Sequence, residues 1–186
     1  LLMSVLLVSY LVVCWAFMPL FLTRVRGFAP GTMSWLMATL GISATIGSFA
    51  VSGLSDRIGR KPVMIATAFL GILLPLGAMY FMGALWGLAA IFFFGWGLTG
   101  IFPLFMAAVP SESVGAHQVT TAMALSMGVG EVLGGVFSPM LAGRAADLYG
   151  LAAPLWIMIG LCTAAGLAAC ALRETAPAVL SARRER

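Results

Sequence analysis

Hydrophobic positions along this chain run in six long blocks separated by short polar stretches. The blocks fall at about 1–22, 33–52, 62–81, 85–108, 119–142 and 151–172. Each is close to the roughly 20 residues that a helix needs to cross a hydrocarbon core of about 30 Å. Strands of a membrane barrel would alternate polar and apolar residues with period two, and these blocks do not. The expected fold is an all-α membrane protein with a six-helix transmembrane domain over 1–172 and a polar cytoplasmic tail over 173–186. The breaks between blocks carry turn chemistry. Pro30-Gly31-Thr32 precedes the second helix, and Pro62, a residue suited to a first helical turn, opens the third. Gly83 marks the turn into the fourth, and Asp147-Leu148-Tyr149-Gly150 leads to the sixth.

Composition sharpens this picture. Of 186 residues, 62% are hydrophobic and only 9% charged, whereas soluble domains are about a quarter charged. The expected surroundings are therefore a lipid bilayer, with no room for a separate soluble domain. The net charge of +4 does not point to nucleic acid, because the cations sit in loops and in the tail. With the start inside, the inner side holds Arg57, Arg60, Lys61, Arg173, Arg183, Arg184 and Arg186, and the outer side Arg24, Arg26 and Arg144. The positive-inside rule then places both ends in the cytoplasm of a multi-pass protein, expected in a bacterial inner (plasma) membrane. Cys14, Cys162 and Cys170 lie inside apolar blocks and read as small packing residues rather than a disulfide set or metal site. The chain opens at Leu1 within an apolar run, which reads as a truncated start.

Ser55-Asp56-Arg57-Ile58-Gly59, between the second and third blocks, resembles Ala146-Asp147-Leu148-Tyr149-Gly150, between the fifth and sixth. The chain thus divides into two three-helix units. Three is odd, so the second unit sits inverted in the membrane, an arrangement typical of secondary transporters.

The run Gly53-Leu54-Ser55-Asp56-Arg57-Ile58-Gly59-Arg60-Lys61-Pro62 reads as a loop. Gly53 and Gly59 permit a tight reversal, and Asp56 suits a helix N-terminus. Arg57, Arg60 and Lys61 would hold it near anionic lipid heads. An ordinary positive-inside loop explains the cations alone. The run as a whole resembles the loop signature of the major facilitator superfamily, G-x-L-x-D-R-x-G-R-R/K-P, with Leu54, Asp56, Arg57, Gly59, Arg60, Lys61 and Pro62 on its specified positions.

Three further stretches resemble the C-terminal half of that family. Phe94-Gly95-Trp96-Gly97-Leu98-Thr99-Gly100 lacks the arginine usual in the family's fourth helix. The run from Gly130-Glu131-Val132-Leu133-Gly134-Gly135-Val136 to Ala146–Gly150 is similar to the eleventh helix and its exit. Arg173-Glu174-Thr175-Ala176-Pro177 looks like the start of the tail after the twelfth. The resemblance implies one six-helix half of a permease, with the partner half missing from the chain. It also implies movement of a small polar or anionic solute by alternating access, with proton or cation coupling and no other cofactor.

Helix five carries a ridge of small residues, Ser126, Gly130, Gly134, Ser138 and Ala142, of the kind that lets helices approach closely in lipid. The resemblance would put it where two halves slide. Glu131 lies in the middle of the same block, where an ionised carboxylate costs about 2.5–3.5 kcal/mol. No Lys or Arg lies in the apolar centre of any block. Glu131 is therefore a candidate coupling carboxylate, or else a neutral acid bonded to backbone. Substrate contacts in the family come mainly from the first helix of each three-helix unit. Of Ser9, Tyr10, Trp15, Phe93, Phe94, Trp96 and Thr99, the candidates are Tyr10, Trp96 and Thr99, whose polar tips need partners when buried. Pro19, Pro75, Pro103 and Pro139 are positions where helices can kink, and His117 reads as a surface residue. Arg24 and Arg26 on the outer side would draw anions electrostatically.

A membrane enzyme is disfavoured, because the single His is in a loop and neither His-Glu-x-x-His nor Gly-x-Ser-x-Gly occurs. A phosphate-binding Gly-x-x-x-x-Gly-Lys-Ser/Thr loop is also missing, so ATP drive has no support. A non-transporting membrane interaction module, docking through the helix-five ridge, and a homodimeric transporter of this unit are the other readings.

Overall fold

The computed structural model describes residues 1–112, 114–172 and 174, with only the backbone at 98, 99 and 116. The tail expected over 173–186 lies outside the described residues except for Glu174.

The first block is α1 (Leu2–Arg24). It closes on Gly27, at φ +68°, with the Phe28 N–H donating to the Leu22 carbonyl at 3.0 Å. This bond, reaching six residues back, satisfies a carbonyl that the helix end would leave open. The second block is α2 (Pro30–Ile58). The third is α3 (Arg60–Leu70) followed by α4 (Leu73–Tyr80). The fourth changes pitch along its length. It runs as α5 (Leu85–Gly95), a 3-10 stretch (Trp96–Ile101), a π stretch (Leu104–Ala108) and α6 (Val109–Glu112). The fifth is α7 (Val119–Val129), a π stretch (Gly130–Phe137) and α8 (Ser138–Tyr149). The last is α9 (Ala153–Ala171).

Among the described residues, five helices are long and apolar enough to cross a membrane: Leu2–Arg24, Pro30–Ile58, Arg60–Tyr80, Val119–Tyr149 and Ala153–Ala171. The fourth block falls short as a regular helix, its apolar α-helical part being only Leu85–Gly95. Two local causes meet there. Pro103 has no N–H for the helical ladder, and α2 crosses the 3-10 stretch backbone to backbone. A Cβ on Gly47 would lie 3.6 Å from the Gly100 Cα, and one on Gly100 would strike the Gly47 carbonyl oxygen. Ser43 of α2 donates to the Phe93 carbonyl where the pitch begins to change.

The predicted loop over 53–61 is mostly helix. α2 continues to Ile58, and Gly59 alone, at φ +120°, separates it from α3. Gly53 is helical, with nothing within 4 Å of a Cβ placed there, so it has no part in the reversal. Asp147, Leu148 and Tyr149 are likewise helical, and the turn is made by Gly150 at φ +84°. The two turns of the sequence repeat are built alike: Gly59 N–H donates to the Ser55 carbonyl, and Gly150 N–H to the Ala146 carbonyl. One residue with positive φ suffices to stop a helix, so the polar residues before it remain helical.

α1 is the central strut, packed against α9 and the fifth helix, with Leu7, Val13, Cys14, Met18 and Leu22 at its buried face. The long-range contacts of the charged side chains sort by end. Residues 55–61 meet Glu112 and Glu174, and Arg26 meets Ala78, Met79 and Phe81. Loops two, four and the chain beyond α9 thus lie at one end, and loops one and three at the other. That alternation requires the fourth helical run, despite its uneven pitch, to traverse the bundle.

Candidate gating site

At the α2–α3 corner one guanidinium gathers three partners. Arg60 Nη1 donates to Asp56 Oδ1 at 2.5 Å and to Ser55 Oγ at 2.7 Å, and Nη2 donates to Glu112 Oε1 at 3.0 Å. The Arg60 side chain is 11% exposed and that of Glu112 21%, whereas Asp56 is 62% exposed. The Glu112 pair is therefore the better shielded of the two, and a planar fork suits it. A second carboxylate lies at the start of α3. Glu174 accepts the main-chain N–H of Arg60 at 2.8 Å and of Lys61 at 3.2 Å. First-turn amides have no intrahelical partner and carry the positive end of the helix dipole. Gly59 makes this approach possible, since a Cβ there would overlap the Glu174 carboxylate.

This corrects the expected role of Asp56. It stands near the C-terminus of α2, paired to Arg60, and Glu174 takes the helix N-terminus instead. Neither Glu112 nor Glu174 stood out in the sequence. The available signal was charge: of the six acidic residues in the chain, four (Asp56, Glu112, Glu174 and Glu185) lie on the loops and tail assigned to the cationic side. Against the family signature, Leu54 to Pro62 keep register, while its leading glycine falls on Ser52 and Gly53 comes one residue late.

Tyr10 is 1% exposed and donates its hydroxyl to the Gly71 carbonyl at 2.9 Å. Gly71 lies four residues before Pro75, which has no N–H to offer that carbonyl, and the third helix breaks there between α3 and α4. Tyr10 thus supplies the donor that Pro75 lacks. Its ring lies 5.9 Å from that of Trp96, itself 1% exposed and edge-on to Trp15. Both candidate cavity residues are inside the helical bundle. The side chain of Thr99 lies outside the described residues.

Ser126, Gly130, Gly134, Ser138 and Ala142 are the buried positions of the fifth helix. They face α1: a Cβ on Gly134 would come within 2.8 Å of the Val5 carbonyl oxygen, and one on Gly130 within 3.1 Å of Ser4 Cβ. The ridge therefore packs inside the chain, not on a surface free to slide past a second half. Four residues exceed one α-turn, so a four-spaced ridge drifts around a regular helix. The wider turns of the Gly130–Phe137 π stretch offset that drift. Ser138 Oγ donates to the Gly134 carbonyl within it. Glu131 stands on the same π stretch but is exposed, with no hydrogen bond or ion pair among the described residues.

Arg26 is committed. Its guanidinium donates to the carbonyls of Ala78, Met79 and Phe81, at 3.1, 3.3 and 2.5 Å, and lies 5.5 Å from the Phe28 ring centroid. These carbonyls close the C-terminal end of α4, where a cation is favoured. Of the two cations expected to draw anions on that side, Arg26 is therefore engaged by these carbonyls.

Residues 1–186 match the model of the Major Facilitator Superfamily. An uncharacterized MFS-type transporter, YcaD, of Salmonella arizonae is 30% identical over 133 residues, which is 70% of this chain and 34% of the relative. The proteins of the same name from Escherichia coli O17:K52:H18 and Shigella flexneri serotype 5b are 29% identical over the same shares. No solved structure gives a significant match. The chain spans about a third of the length of the curated relatives it matches. With a family match along its whole length and the family's signature forming the α2–α3 corner, the chain belongs to the Major Facilitator Superfamily.

Proposed function

We propose that this chain is one six-helix half, the C-terminal one, of a secondary transporter that moves a small polar or anionic solute across a bacterial inner membrane by alternating access. The observation that carries the reading is the ionic latch at one end of the bundle. Arg60 joins the α2–α3 corner to the end of the fourth helix through Glu112, and Glu174 joins it to the chain after α9. A rocking half must keep its helices together at this end or release them in a controlled way, and a shielded, forked ion pair does that with a defined geometry.

Two surfaces support a partner half. Of the apolar windows of α2 and the fifth helix only 28% and 17% is buried, against 50% for α1. Phe49, Val136, Met140 and Leu141 lie on those open faces, each more than 60% exposed. Glu131 is on the fifth helix with its carboxylate uncommitted, which suits a proton- or cation-coupling group at such a boundary. Solute contacts would come from that boundary rather than from Tyr10 and Trp96, whose rings are enclosed.

Flux into proteoliposomes by the full-length protein tests the reading. Arg60→Ala and Glu112→Gln are expected to cut uptake by about tenfold or more while leaving membrane insertion intact, and Arg60→Lys, which loses the fork, to fall between. Unchanged uptake in all three, or no saturable uptake of any solute by the wild type, would remove the proposal.

A further inference from the structure

α1 and α9 pack along each other through the middle of the bundle. They run antiparallel, since α1 leads into loop one while the chain after α9 reaches the α2–α3 corner at the opposite end. Their seam carries sulfur. Cys14 and Met18 stand one turn apart on α1, and Met158 and Cys162 one turn apart on α9. All four are 0% exposed, enclosed by the helices of this chain. Cys14 and Cys162 lie within electrostatic reach of each other and of the Tyr10 hydroxyl, so they share one level of the seam. One turn nearer the loop-one end comes Met18 on α1 and, because α9 runs the other way, Met158 on α9. Residues at i and i+4 lie on one face of a helix, and packed helix axes are about 8–10 Å apart, so the second pair also faces across the seam. Packing alone accounts for any one of these side chains. It does not ask that two of the chain's three cysteines meet at one level with a thioether one turn from each.

We propose that Cys14, Met18, Met158 and Cys162 form a binding site for one soft monovalent metal ion of the Cu+ or Ag+ class. Thiolate and thioether donors together select such ions, whereas Zn2+ is held by thiolate, imidazole and carboxylate and gains little from two methionines. Binding breaks one S–H bond, forms one metal–thiolate bond and releases one proton to solvent, with no change of oxidation state. The second thiol and the two thioethers donate lone pairs only. One monovalent cation with one thiolate leaves the site neutral, as burial in an apolar core requires. The surrounding core is aliphatic and aromatic, so it offers the ion no competing oxygen or nitrogen ligand set. The site lies on a seam inside this chain, away from the open faces of α2 and the fifth helix, and it does not depend on the transport reading.

The test uses the full-length protein carrying Cys170→Ser, which removes the exposed thiol, in detergent and chloride-free buffer with Ag+ as a redox-inert probe. Bound Ag+ is measured by elemental mass spectrometry after gel filtration. Each variant is compared with this background, so that ions held by sulfurs elsewhere cancel. Cys14→Ala and Cys162→Ala together should remove one tightly held Ag+ per chain, and with it the release of about one proton per ion. Met18→Leu and Met158→Leu conserve side-chain volume, so both should fold, and each should weaken that ion about tenfold. Ag+ at about a hundredfold excess over its dissociation constant should raise the thermal midpoint by about 5 °C or more, and this rise should vanish in the double cysteine variant. Wild-type Ag+ stoichiometry and proton release in the double cysteine variant would overturn the site. If neither methionine variant weakens Ag+, the thioethers are not ligands and the four-sulfur set is wrong. Displacement of the ion by equimolar Zn2+ would overturn its assignment as a soft monovalent site.

Discussion

Replacing Tyr10 by Phe removes one oxygen and leaves the ring against Trp96. In the structure that oxygen is the donor to the Gly71 carbonyl, at 2.9 Å and fully buried, and Pro75 cannot serve it. Polar contacts between membrane helices are worth about 0.6 kcal/mol on average and up to about 1.7. This one sits at the upper end, because the carbonyl has no helical alternative and lies away from water. A loss of about 1–1.7 kcal/mol corresponds to a thermal midpoint lower by roughly 2–7 °C, at about 2–4 °C per kcal/mol for a chain of this size. Cys14 and Cys162 are buried and Cys170 is exposed. A thiol-reactive fluorophore in a Cys170→Ser background therefore reports unfolding in detergent directly. The decisive comparison is a double-mutant cycle. Pro75→Ala restores an N–H four residues after Gly71, so Tyr10→Phe should then cost little. If Tyr10→Phe is as mild as Tyr80→Phe, whose ring is 63% exposed, the hydroxyl has no structural role. If its cost persists unchanged in the Pro75→Ala background, the link to the proline is wrong.

Three other outcomes follow from the geometry. Gly100→Ala should lower the same midpoint by the equivalent of about 1–3 kcal/mol, the usual cost of overpacking. Its Cβ meets the backbone of Gly47, whereas Gly97→Ala, with nothing within 4 Å, should be close to neutral. Arg26→Lys should destabilise as well, because a single ammonium cannot reach three carbonyls with a planar fork. Limited proteolysis at the two loops of that end would report it, and cleavage identical to wild type would count against a structural role for the Arg26 contacts. Glu131→Gln should abolish the response of uptake to an imposed pH gradient in the full-length protein while leaving the folded state intact. Uptake driven equally well by the gradient in this variant would end the coupling proposal.

The membrane setting, the six apolar blocks and the family signature are legible in the sequence because each rests on local properties. Apolar length decides whether a helix can cross lipid, and the spacing of glycines and cations fixes one corner. The helix-five ridge is also visible as a spacing, since small residues four apart mark a close contact whatever the partner. Which partner they touch is not local, and the structure gives it to α1. Likewise Glu112 and Glu174 are ordinary loop acids until the bundle brings residues 52 and 114 positions away in sequence against Arg60.

Tyr10 shows the same limit from the other side. Its buried hydroxyl predicts a need for a partner, but only the packing of α1 on the broken third helix makes that partner the carbonyl freed by Pro75. Arg26 reads as a free outer cation until the turn after α1 sets it on the end of α4. Sequence by itself determined where the chain is apolar, where it can turn and which polar groups must be satisfied. Tertiary structure alone decided how they are satisfied, because hydrogen bonds and ion pairs in a low-dielectric bundle are short-ranged, and the groups that meet are set by which helices touch.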